Sequence, residues 1–122
     1  MIQKWFEPVT QSDDTFQPKD DGYREARGGA TRFLDLACGD CGTVVMTYQK
    51  DGPGPLWRCY LDRIFAPPEL AALQHQVHHK REMVNLTCPQ CGKLLGVPDV
   101  YEPENRLAYR LRRGQVKKTI RA

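Results

Sequence analysis

The chain has 122 residues, 40% of them hydrophobic, which suits one ordinary domain whose core is adequate without being generous. No apolar run approaches the roughly 18 residues of a bilayer-spanning helix, and the opening MIQKWFEPVT lacks a basic start followed by an apolar stretch, so a soluble cytoplasmic protein is expected. The formal charge of +3 is unevenly placed, because residues 1–21 hold two basic and five acidic side chains whereas residues 101–122 hold seven basic and two acidic ones.

Residues 1–29 carry acidic clusters, Pro and Gly without a helical or strand period, and read as an irregular N-terminal arm. Its aromatics Trp5, Phe6, Phe16 and Tyr23 are spaced too widely for one face. They fit either a solvated tail or separate anchors in a groove. Order is expected from Thr31, where TRFLDLAC enters a first cysteine pair and GTVVMTYQK leaves it with the β-branched residues strands favour, making a hairpin with the cysteines at its tip. Asp51-Gly52-Pro53-Gly54-Pro55 must be a turn or rigid loop. From Leu56 to Phe65 the alternation places Trp57, Cys59, Leu61, Arg63 and Phe65 on one inward face, with Arg63 at its rim or paired with an acid. Pro67-Pro68-Glu69 opens a helix expected to run to about Arg81, with Leu70, Leu73 and Val77 as its apolar stripe and Val84 as a candidate extension of it. MVNLT enters a second cysteine pair and KLLGVPDVY leaves it. RLAYRLRR, Gly114 and QVKKTI predict a terminal hairpin over 106–121, in which Leu107, Tyr109 and Leu111 alternate with arginines.

Four of the five cysteines form two C-x-x-C pairs, a poor disulfide framework and a good metal one, which points to a reducing compartment. A two-residue gap lets both sulfurs of a turn face one ion, and four thiolates about 2.3 Å from zinc complete a tetrahedron. Cys38-Gly39-Asp40-Cys41-Gly42 and Cys88-Pro89-Gln90-Cys91-Gly92 each end in glycine, allowing the backbone to turn tightly behind the sulfurs. These segments resemble the knuckles of zinc-ribbon and rubredoxin-like proteins. The resemblance covers the knuckles and their flanking strands, and implies Cys38, Cys41, Cys88 and Cys91 as ligands in a three-stranded antiparallel ribbon. The fold class expected is therefore mainly β, a small α+β zinc ribbon over 30–122 with one helix inside an insertion at 51–82. Zn2+ is the expected cofactor, with Fe as the alternative because rubredoxins use the same shell. Four thiolates around a divalent ion contribute minus two, which takes the net charge from +3 to about +1.

Other groups carry weaker signals. His75 and His79 lie one turn apart but nearly opposite the apolar stripe, and no H-E-x-x-H pattern is present. Cys59 falls on an inward face and reads as a small hydrophobe, so no enzyme is expected. Arg106, Arg110, Arg112, Arg113, Lys117, Lys118 and Arg121 crowd the C-terminal segment, as either a phosphate-attracting strip or charge that protects a sheet edge. The function expected is a binding module that contacts nucleic acid or a protein complex through that strip. The alternative is an iron electron carrier.

Overall fold

The computed structural model describes residues 16–121; Trp5 and Phe6 of the arm lie outside them. The fold is mainly β and antiparallel. Its strands are β1 (Thr31–Cys38), β2 (Val44–Asp51), β3 (Arg58–Tyr60), β4 (Ile64–Ala66), β5 (Leu86–Thr87), β6 (Leu94–Tyr101), β7 (Arg106–Leu111) and β8 (Val116–Ile120). They form two four-stranded sheets, ordered β4-β2-β1-β8 and β3-β7-β6-β5.

Alternation in β1 buries Leu34, Leu36 and Cys38 and leaves the intervening residues partly exposed. The core combines these with Met46 and Tyr48 of the first sheet and with Cys59, Leu95 and Tyr109 of the second. Tyr48 ties the sheets together, its hydroxyl accepting from the Tyr60 amide at 2.8 Å. Buried phenols need such partners, and Tyr109 likewise donates to the Val84 carbonyl at 2.8 Å.

Three expectations change. The alternating run 56–65 is not one strand: a 3₁₀ turn at Leu61–Arg63 carries the chain from β3 in one sheet to β4 in the other. Cys59, Leu61 and Arg63 are buried as the alternation requires, but Trp57 is 58% exposed. The inserted helix is shorter than expected, consisting of two successive turns, α2 (Pro68–Ala71) and α3 (Leu73–Gln76). It stops because Val77 is extended, and because Glu82 accepts from the amides of His78 at 2.7 Å and His79 at 3.2 Å, giving them a non-helical partner. Leu70, Leu73 and Val77 still pack against the core, whereas Val84, beyond the end of the shortened helix, is exposed. Finally, β7 and β8 do not form a hairpin. β7 already has β3 and β6 on its two edges, so the chain turns at 112–115 and β8 pairs with the free edge of β1.

The segment 16–29 docks onto this frame and includes a short helix, α1 (Gly22–Ala26), capped by Asp21. Phe16 joins Phe33 and Phe65 in a ring cluster with centroids 5.0–5.8 Å apart. The Arg106 guanidinium carbon lies 4.0 Å from the Tyr23 ring centroid and 3.8 Å from that of Tyr60, so both rings pack on it. Both aromatic residues of the arm that are described thus serve as anchors.

Candidate metal centre

Each cysteine pair sits at the tip of a hairpin, the first between β1 and β2 and the second between β5 and β6. The knuckles therefore belong to different sheets rather than to one three-stranded ribbon. Their backbones are near copies. Gly42 N donates to Cys38 O at 3.0 Å and Cys38 N to Thr43 O at 2.8 Å; Gly92 N donates to Cys88 O and Cys88 N to Lys93 O, both at 2.9 Å. Gly42 and Gly92 hold φ of 78° and 80°, the left-handed region that side chains disfavour.

All four sulfurs lie within 4.8 Å of one another. Across the knuckles, Cys38 Sγ is 3.7 Å from Cys91 Sγ, and Cys41 Sγ is 3.5 Å from Cys88 Sγ. A tetrahedron with zinc–sulfur bonds of about 2.3 Å has edges of about 3.8 Å, so the donor set fits one ion. Cys38 and Cys88 are buried while Cys41 and Cys91 reach the surface, so an ion there has one protected and one solvent-facing side.

The surroundings prepare the sulfurs unequally. Hydrogen bonding to the Thr43 side chain and then to its backbone lowers the Cys41 thiol to about 6. The Lys93 amide pulls Cys91 down, but burial and hydrogen bonds to the other three thiols outweigh it and push Cys91 up to about 12. Without a cation the cluster thus retains protons, since adjacent thiolates repel one another. Gln90 N points at Cys88 Sγ from 3.4 Å, and Lys93 Nζ reaches Asp40 of the opposite knuckle at 3.0 Å. Gly39 N donates to Gln115 O at 2.8 Å, which ties the first knuckle to the start of β8.

The remaining candidate residues are dispersed. Arg106 is only 4% exposed, and donates to Asp62 at 2.6 Å and Glu104 at 2.9 Å. It leaves the basic strip because two carboxylates and two tyrosine rings hold it inside. Arg121 pairs with Asp35 at 2.8 Å. Arg110, Arg112, Arg113, Lys117 and Lys118 are exposed. His75, His78 and His79 are exposed as expected. Cys59 is fully buried, and burial pushes its thiol upward, keeping it protonated. Among the described residues no helix is long and apolar enough to cross a membrane.

Arg32 and Lys50 escaped the sequence reading. They are directly paired across β1 and β2, far from the C-terminal segment in sequence, yet Leu36 of β1 is paired with Lys118 of β8. The one available signal was that Arg32 falls in phase with Leu34 and Leu36.

No protein-family model matches the chain, and neither the curated proteins nor the solved structures compared with it give a match.

Proposed function

We propose that Cys38, Cys41, Cys88 and Cys91 hold one zinc ion as a structural staple, and that the protein is a non-catalytic module for a polyanionic partner. The partner class is a nucleic acid or the acidic face of a protein complex, and the contacts come from the exposed C-terminal cations. The observation that carries the reading is the convergence of four sulfurs, two from each sheet, within 4.8 Å. Zinc in such a shell supplies no redox chemistry and stabilises the fold directly. The chain's own residues do the rest. The knuckle glycines shape the turns, Thr43 and the knuckle amides hydrogen-bond the sulfurs, and Gln115 connects the site to β8, which bears Lys117 and Lys118.

Zinc is favoured over iron by the polar knuckle neighbours Asp40, Thr43, Gln90 and Lys93, with no aromatic residue among them. The exposure of Cys41 and Cys91 supports the iron reading as runner-up, because an electron carrier needs an accessible sulfur edge. Elemental mass spectrometry with a visible spectrum separates the two. One zinc per chain and no colour is the expected result; one iron with thiolate charge-transfer bands would replace the module by an electron carrier. Binding to polyanions should then weaken steeply with salt, as counterion release requires.

A further inference from the structure

Arg32, Leu34 and Leu36 point to one side of β1, and register places Lys50, Lys118 and Ile120 on that same side from the neighbouring strands. Arg32, Lys50 and Lys118 border a crevice of about 590 Å³ whose apolar wall is Leu34 and Ile120. The Lys50 pKa is lowered, first by burial and then by the charges of Lys118 and Arg32, as convergence of the three cations requires. A second crevice of about 390 Å³ lies between the sheets, with Leu36 and Val116 on one side and Trp57, Arg110, Arg112 and Arg113 around it. Lys118 lines both, so the two crevices adjoin at its side chain, and together they are called the trench below.

The charge in this trench is not balanced by carboxylates. Arg27, Arg58, Arg63, Arg106 and Arg121 all pair with carboxylates elsewhere. By contrast, no acid lines either crevice, and among the described residues none of the six trench cations forms an ion pair. Trp57 is 58% exposed in the same trench, with the Arg113 guanidinium 5.8 Å from its ring centroid. Apart from the Arg113 contact the indole is left open beside cations that no carboxylate balances, and a base stacked on the indole with phosphates along the cations uses every element.

We propose that this trench binds single-stranded nucleic acid, with Trp57 as the base-stacking platform and Arg32, Lys50 and Lys118 as a phosphate track leading away from it. The inference rests on the polyanion reading above and deepens it. A duplex keeps its bases stacked internally and offers nothing to Trp57, and each crevice has the volume of a small-ligand site rather than of a helix groove.

The test is fluorescence anisotropy of short labelled oligo-U and oligo-dT with the full chain, with duplex DNA and polyglutamate as competitors. The expected results are preference for single strands, about tenfold weaker binding by Trp57→Ala with most affinity kept by Trp57→Phe, and a salt slope reduced by about two in Arg32→Ala/Lys50→Gln. Circular dichroism checks that each variant folds, and Lys80→Ala, outside the trench, should bind normally. If Trp57→Ala and Arg32→Ala/Lys50→Gln bind like the parent while Arg112→Ala/Arg113→Ala does not, the stacking platform and the phosphate track are both wrong and the polyanion reading stands. If polyglutamate competes as well as single strands do, the partner is an acidic protein and the nucleic-acid inference falls. Binding to no polyanion would remove both.

Discussion

Arg63 and Asp51 form an ion pair in the interior, with Arg63 Nε 2.8 Å from Asp51 Oδ2 and side-chain exposures of 1% and 4%. Asp51 also accepts from Gln49 and Thr31, both at 2.9 Å, so three donors hold its carboxylate. Arg63 spends its other donors on Asp21 of the arm. Removing the arginine leaves a buried carboxylate without its counter-charge, and losses of about 3–5 kcal/mol are typical of that change. Arg63→Ala is therefore expected to lower the urea midpoint sharply with an unchanged slope. An unaltered midpoint would mean that water reaches Asp51 and the pair is dispensable.

That pair also marks the boundary of what the sequence discloses. The alternation of 56–65 correctly turned Arg63 inward, and an acid partner was one of the two outcomes expected for it. That partner, Asp51, read only as the first residue of a turn, because its role depends on which strands become neighbours. The four-cysteine cluster was legible for the opposite reason: a tetrathiolate site demands four sulfurs and tight turns, and both signals are local. Among the C-terminal cations, Arg106 departs from the expected strip because topology intervenes. Arg106 looks like its neighbours in sequence, but in the fold it meets Asp62 and Glu104, whereas Arg32 and Lys50 join Lys118 only through sheet register.

Ligand removal should act on the whole fold. Cys38 and Cys88 each come from a different sheet, so Cys38→Ser or Cys88→Ser should lose stoichiometric zinc and unfold at lower temperature, whereas Cys59→Ala should retain zinc. Calorimetry with metal analysis reads both effects. Equal stability of Cys38→Ser and the parent would remove the staple from the account.

Zinc affinity should rise with pH. The Cys91 thiol is pushed up to about 12 in the metal-free cluster, so at neutral pH its proton must leave before the sulfur binds. That proton alone makes the affinity rise by about tenfold per pH unit, and further protonated thiols steepen it. Competition with a chromophoric chelator at a series of pH values measures the slope. A flat profile would show that the thiols are already ionised.

Gly52 is expected to resist substitution. Its φ is 79°, and a Cβ there would lie 2.7 Å from the Arg27 carbonyl oxygen. Its amide also donates to Ala30 O at 2.7 Å, joining the 51–55 loop to the end of the arm. Gly52→Ala combines a disfavoured backbone angle with a backbone clash, a loss of about 1–3 kcal/mol. Gly54→Ala is the control, because nothing lies within 4 Å of its Cβ position although its φ is 101°. The loss at position 52 should exceed that at 54 in thermal unfolding; equal losses would assign the effect to φ alone.

Docking of the arm should weaken in acid. The Asp21 carboxyl is lowered to about 2 from an ordinary value of 3.8, first by hydrogen bonds from Arg63 and, against burial, by the amides of Arg24 and Tyr23. A depressed folded value means that the stabilisation is fully present above about pH 4 and fades as pH falls through about 2. Because Asp21 is 42% exposed, solvent screens the pair and the effect on global stability is modest. Hydrogen exchange across residues 22–26 should therefore accelerate between about pH 4 and pH 2, after correction for intrinsic rates. Asp21→Asn should show the faster exchange already at pH 5 and a flatter response below it. If the variant and the parent share one profile, the arm is held by Arg106 and the tyrosine rings without help from Asp21.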